Sequence, residues 1–181
     1  GRQRFIADYL SQDVLAPLPQ DQRRFLLETS ILNRLSGALC DAVAGGEDGQ
    51  EMLETLERDN LFLMPLDDTR EWFRYHRLFR DLLRDELYRR SADRAAELHT
   101  RAAEWFLTQD EAEEAFRHAV EGGEPDLVMH VLERYFSAKL LGGEIRVVQR
   151  WLDALPEAWQ KSYPMIGLVR AGVLLATGQF D

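Results

Sequence analysis

Apolar residues along this chain recur mostly at helical spacing, with one interruption. Phe5, Ile6, Tyr9, Leu10 and Val14 share one helical face. Leu18-Pro19 breaks that helix, and a second is predicted over residues 22–32 with Phe25, Leu26 and Leu32 turned inward. Ser36 can cap a third over residues 37–44, which Gly45-Gly46 closes. A fourth spans residues 49–60, with Met52, Leu53 and Leu56 on one face and Asn60 near its stop. The period then shortens. Residues 61–66 and the aromatic run 72–76 read as two short strands around the turn Asp67-Asp68-Thr69. Leu78, Phe79, Leu82, Leu83 and Leu87 restore the helical period. Helices, then a two-stranded hairpin, then a helix is the order of a winged helix.

The second half repeats. Leu107 to Leu141 is a step of 34 residues and Gly143 to Gly178 one of 35, each bringing the chain from one helix-ending turn to the next. Such a period belongs to tetratricopeptide-like helical hairpins. Helices are predicted over residues 112–121, 125–140, 145–155 and 164–176, with Pro125 and Pro164 at first helical positions and Gly122-Gly123 after a helix end. Ala102, Ala103, Ala112, Ala115 and Ala119 allow helices to approach closely. The expected fold is mainly α: a winged-helix-like domain with a short β-hairpin over residues 1–91, then the start of a tetratricopeptide-like repeat domain over residues 92–181. The first helix lacks a cap and the last an apolar partner, so an internal piece of a longer protein is expected, with further helical repeats as its neighbours.

Charge qualifies the winged-helix reading. The 181 residues carry 32 Asp+Glu against 22 Lys+Arg, a formal net charge of −10. The helix that would enter a DNA groove holds Glu51, Glu54, Glu57 and Asp59 against Arg58, and the wing turn is acidic as well. Phosphates would repel that surface, which points to a protein-binding or intramolecular module over a DNA reader. Only Lys139 and Lys161 among the basic residues are lysine, a bias that fits a GC-rich bacterial source. A single cysteine, Cys40, excludes an intramolecular disulfide framework. No apolar run nears the roughly 20 residues needed to span a bilayer, and no membrane partner is expected.

Catalytic and metal motifs are missing: there is no Walker-type P-loop, dinucleotide fingerprint, H-E-x-x-H or C-x-x-C. Neither an enzyme nor a metal site is expected in these residues. Cys40 sits on an apolar face and reads as a buried thiol. His99, His118 and His130 read as packing or surface residues. His76 is different. It stands where the second strand gives way to a helix N-terminus, ahead of Arg77, Arg80 and Arg84 on one stripe. Such a start favours an anion, and imidazole with guanidinium could meet a phosphate or carboxylate. The competing reading has His76 closing the turn while the arginines pair with Asp81 and Asp85.

Several segments together resemble the MalT-like, LuxR-type ATP-dependent transcriptional regulators. They are Tyr9-Leu10…Val14-Leu15…Leu18-Pro19, Arg24-Phe-Leu-Leu-Glu-Thr-Ser-Ile-Leu32 and Leu39-Cys-Asp-Ala-Val43. Leu53-Glu-Thr-Leu-Glu-Arg-Asp-Asn-Leu-Phe62, Trp72-Phe-Arg-Tyr-His-Arg-Leu-Phe-Arg-Asp-Leu-Leu-Arg84, Leu98-His-Thr-Arg-Ala-Ala-Glu-Trp105 and Trp151-Leu-Asp-Ala-Leu-Pro156 continue the series. The resemblance implies a cytoplasmic signal-transduction ATPase. An N-terminal P-loop domain would bind ATP or ADP, the winged helix would pack on it, and the repeats would sense a small-molecule or protein inducer. DNA would be bound only by a C-terminal helix-turn-helix outside these residues. No cofactor is expected within the chain itself. The resemblance implies His76 as a sensor of the bound diphosphate, with Arg77 beside it, although Tyr75-His76-Arg77 departs from the Met-His-Asp form of related switches. A tetratricopeptide-like scaffold binding peptides in the groove of residues 92–181, and a DNA-binding winged helix, are the alternatives.

Overall fold

A computed structural model describes residues 14–178. Phe5, Ile6, Tyr9 and Leu10, on which the first predicted helix rests, lie outside the described residues, as do Gln179, Phe180 and Asp181. The order is α1 (Gln20–Thr29), α2 (Gly37–Ala44), α3 (Gly49–Arg58), β1 (Leu63–Pro65), β2 (Phe73–Tyr75) and α4 (Arg77–Arg90). It continues with α5 (Ala92–Thr108), α6 (Ala112–Glu121), α7 (Pro125–Leu141), α8 (Ile145–Ala154), α9 (Glu157–Ser162) and α10 (Pro164–Thr177). The protein is therefore mainly helical, a winged helix with a small hairpin followed by helices. It divides into two compact units at Ala102/Ala103, within α5.

In the first unit the local chemistry sets each boundary. The Thr29 hydroxyl donates to the Phe25 carbonyl at 2.7 Å and the Ser30 hydroxyl to Leu27 at 2.6 Å. Hydroxyls that turn back on the last helical carbonyls end α1 at Thr29, three residues short of the predicted Leu32. Ser36 caps α2 through the Leu39 N–H, and Gly45 closes it at φ 76°. Arginines satisfy the last carbonyls of α2: Arg101 donates to Val43 and Arg24 to Ala44. Helix α3 stops at Arg58, with Asn60 left-handed beyond it.

The hairpin is antiparallel, pairing Leu63 with Tyr75, Met64 with Arg74 and Pro65 with Phe73. Leu35 adds a bridge on the other side of β2, exchanging both backbone hydrogen bonds with Phe73 at 2.8 Å. Proline sits on the outer strand, where its missing N–H costs nothing. The Asp67 carboxylate ties the turn, accepting from Thr69, Glu71 and Trp72 at 2.9–3.0 Å. Leu26, Ile31, Leu35, Leu39, Leu53, Leu56, Phe73 and Leu83 form the core.

The second unit stacks helix on helix. Phe116 of α6 lies flat on Trp151 of α8, with ring centroids 4.8 Å apart, and Phe106 stacks on the buried His118. Phe136 of α7 occupies the space beside Gly172 of α10, where a Cβ would meet its ring at 2.7 Å. The short α9, begun by Pro156, has no counterpart in the predicted helices.

Candidate functional site

His76 is the N-cap of α4, with extended backbone angles (φ −55°, ψ 132°) and a side chain that makes no capping bond. Its N–H donates to the Phe62 carbonyl at 2.7 Å, and its carbonyl accepts from the Arg80 N–H at 3.0 Å. The imidazole is exposed. No acid occupies the first turn of α4, so the helix-start N–H groups and the dipole have no carboxylate of their own helix to answer them.

What holds this point is a rigid floor. Phe62 is left-handed at φ 54°, an uncommon conformation for a bulky side chain, and its ring packs on Phe79 at 5.0 Å. Phe79 meets Tyr75 edge-on at 6.0 Å. The Tyr75 hydroxyl sits 2.7 Å from Thr29 Oγ1, whose own proton goes to Phe25, so the tyrosine donates. Burial pushes the Tyr75 phenol far above its ordinary range, and it stays protonated. Phe62 and Thr29 carry no periodicity signal that would have marked them as supports.

The predicted basic stripe does not act as one group. Arg77 is almost fully exposed and holds Asp81 at 3.8 Å. Arg80 is drawn inward, donating to Asn33 Oδ1 at 3.0 Å and to Asp81 Oδ1 at 3.3 Å. Arg84 is half-buried. The Asp81 pairing is thus present, while Asp85 forms no ion pair among the described residues. Arg74, opposite Met64 in the hairpin, is exposed close in sequence to His76. Phe73 and Tyr75 are buried core residues, and Trp72 carries the Arg34 guanidinium 4.2 Å above its ring.

Elsewhere the chemistry is structural. Burial, then the neighbouring Asp41, pushes the Cys40 thiol well above its usual range, leaving it a protonated core residue. His99 is buried, with Nε2 3.0 Å from the Tyr88 hydroxyl, and His118 is buried with Arg117 donating to Nε2 at 2.7 Å; His130 is exposed. On α3, Glu51 and Glu54 face solvent and Glu57 holds Arg70 at 3.5 Å. The helix that would read DNA therefore presents carboxylates. Among the described residues no helix is long and apolar enough to cross a membrane.

This fold, with an acidic α3 and a histidine exposed at the hairpin-to-helix junction, defines a winged helix unsuited to the groove of a duplex. Residues 11–95 match the MalT winged helix domain. The chain is 34% identical over 176 residues to the HTH-type transcriptional regulator MalT of Klebsiella pneumoniae strain 342, and 32% identical to that of Cronobacter sakazakii. Both alignments cover 97% of this chain and 20% of the relative. Over nearly all of its length the chain is similar to the MalT-like transcriptional regulators, with a MalT winged helix domain at residues 11–95, and it spans about a fifth of the length of the curated relatives it matches.

Proposed function

We propose that this chain is the coupling segment of an ATP-dependent transcriptional regulator. In the resting state the winged helix packs on a nucleotide-binding domain elsewhere in the longer protein, and His76, with Arg77, faces the β-phosphate of ADP. The residues fit such a group: a helix start without an acid, an exposed imidazole and an exposed guanidinium make an anion-receptive point. Exposure of His76 at the α4 N-cap is the observation that carries the reading. When bound, the nucleotide supplies the phosphate state being sensed; this chain's part is to fix the His76 backbone at the start of α4, through the Phe62 carbonyl and the Phe62, Phe79 and Tyr75 rings beneath it.

The domain reading goes with this proposal: winged helix over residues 1–91, and from 92 the start of a tetratricopeptide-like array that senses a small-molecule or protein inducer. Helix α5 is shared, its first part packing within the winged-helix unit. Inducer binding favours the self-associating, ATP-bound state only by its differential affinity for that state. DNA is engaged through a separate C-terminal domain, in the cytoplasm.

The test is His76→Ala in the full-length regulator. Losing one hydrogen bond to a charged group, about 1.5 kcal/mol, should speed ADP release about tenfold. Inducer-free transcription should rise with it. Unchanged release and unchanged basal transcription would remove His76 from the switch.

A further inference from the structure

We propose that the cleft between α1, the carboxyl end of α2 and the start of α3 binds an organic cation, a guanidinium or primary ammonium group on an aliphatic stem. The proposal goes beyond the nucleotide switch and does not rest on it. A cavity carries it, together with the sign of the groups that wall that cavity.

The cavity measures about 510 Å³, within the roughly 300–1,000 Å³ that small-ligand sites occupy. It exists because α2 stops at Ala44 and two glycines at positive φ, Gly45 at 76° and Gly46 at 155°, turn the chain away before α3 begins at Gly49. The floor is apolar: Phe25 of α1, Cys40 and Ala44 of α2, and Met52 of α3. The first three are buried and Met52 is half-buried. The Cys40 thiol stays protonated, so no charge lies at the bottom.

The walls decide the ligand's charge. Asp21 in the first turn of α1, Asp41 in α2 and Asp48 at the N-cap of α3 line the cleft, and among the described residues none of them is in an ion pair. Asp41 accepts from the Gly49 N–H at 2.8 Å and so answers the positive pole of α3, while the Asp48 side chain makes no capping bond. The negative pole of α2 opens on the same space, and that helix has no basic residue in its last turn. Among the described residues the one cation lining the cleft is Arg24, and it is committed to the protein itself. Its Nη2 donates to the Ala44 carbonyl at 3.3 Å, and its Nε faces Glu28 Oε2 at 3.6 Å. An anion would meet three carboxylates, and a neutral ligand would leave them unanswered. An apolar floor beneath an acidic rim suits a buried stem under a cationic head, the way Lys and Arg side chains lie along protein surfaces. Arg24 is the like charge that a bound cation turns aside, toward the Glu28 oxygen that has no hydrogen-bond partner.

The test titrates n-butylguanidinium into the full-length regulator by calorimetry at fixed ionic strength, with a blocked tripeptide carrying a central arginine as a second arm. Saturable binding at a single site per chain is expected. Joint replacement Asp21→Asn and Asp48→Asn, at two exposed side chains, should weaken it on the order of tenfold or more, as charge-assisted hydrogen bonds are lost. Arg24→Gln should tighten it severalfold by removing a like charge. Met52→Trp, which fills the floor, should abolish it. The control pair Glu51→Gln and Glu54→Gln removes the same charge from the exposed face of α3, outside the cleft, and should leave affinity within about twofold, because solvent and salt screen those carboxylates. Thermal melts check each fold, and Asp21→Asn alone serves if the pair does not fold. Absence of saturable heat with both probes overturns the proposal, and so does unchanged affinity in the Asp21 and Asp48 variants. An equal loss in the control pair overturns it as well, by assigning the effect to a diffuse acidic surface. Butylguanidinium binding as tightly as the tripeptide assigns the site to a free small molecule. A tripeptide bound about tenfold more tightly or better assigns it to a side chain of another protein segment, and either result upholds the cation.

Discussion

Arg94 joins the start of α5 to α1 through a carboxylate that water scarcely reaches. Its Nε and Nη2 donate to Glu28 Oε1 at 3.0 and 2.9 Å, and its Nη1 reaches Glu97 at 2.7 Å. Glu28 is 7% exposed, and its second oxygen has no hydrogen-bond partner, with Arg24 at 3.6 Å. Arg94→Ala would strand that carboxylate. Breaking a buried pair from one side costs about 3–5 kcal/mol. Arg24, 62% exposed, can close its 3.6 Å gap and recover part of the loss, at the expense of its bond to the Ala44 carbonyl. The expected destabilisation is therefore about 2–4 kcal/mol. Urea unfolding measures the loss, and hydrogen exchange in α1 and the first half of α5 locates it. Replacing both partners with methionine should return stability to within about 1 kcal/mol of the parent. A loss below about 1 kcal/mol for Arg94→Ala, or a double variant no better than the single, would refute the claim that burial of Glu28 sets the energy.

Three further outcomes follow from other contacts. Gly49→Ala would drive a Cβ to 2.5 Å from the Gly37 carbonyl and 2.7 Å from Asp41 Oδ1. Thermal unfolding should show a loss of about 1–3 kcal/mol from that overpacking. Trp151→Ala removes the ring stacked on Phe116 and should cost about 3–5 kcal/mol in the second unit, read from its fluorescence and exchange. Asp110 accepts from Tyr135 at 2.7 Å and lies 2.9 Å from Arg134; the tyrosine bond first, then the guanidinium, hold its carboxyl below the usual carboxylate range against a smaller opposing effect of desolvation. A depressed carboxyl stabilises the fold above its ordinary pKa near 4, and that contribution fades as pH falls through the lower folded value. The melting-temperature gap between the parent and Asp110→Asn should accordingly be widest above pH 5 and close below it.

Which parts of the fold could be read beforehand depended on whether the signal was local. Gly37–Ala44 and Ala112–Glu121 coincide with their predicted spans, because a capping serine, a glutamate-led first turn and terminal glycines act within a few residues. The hairpin was legible from the Phe73-Arg74-Tyr75 alternation and the turn aspartate. The Leu35–Phe73 bridge was not, since one residue pairing across 38 positions leaves no period to detect. The end of α1 was misplaced because Thr29 and Ser30 stop the helix with hydroxyls while the apolar pattern runs on through Ile31 and Leu32. At the candidate site, His76 was visible as a residue type at a helix start. The left-handed Phe62 beneath it and the Asn33 that withdraws Arg80 were not, because both act through contacts far apart in sequence.

The basic stretch from Arg70 to Arg101 makes the same point about charge. Its nine arginines against six acids suggest a cationic surface. In the fold most of those guanidiniums are already committed: Arg70 to Glu57, Arg80 to Asn33 and Asp81, Arg89 and Arg90 to Glu86, Arg94 to Glu28 and Glu97, Arg101 to Glu97 and the α2 carboxyl end. Arg74 and Arg77 stand apart from that group, one exposed on the hairpin and the other bound to Asp81 only at 3.8 Å, a surface pair of about 0–1 kcal/mol at most. They bracket His76. A phosphate approaching from solvent could recruit Arg77 at little cost and would find the α4 N–H groups beside it. A duplex laid along α3 would meet Glu51 and Glu54. On the proposed reading, the arginines of this stretch left to meet an anion are a few residues at one junction, a match for a phosphate group rather than for a nucleic-acid backbone, whose binding scales with the number of phosphates neutralised.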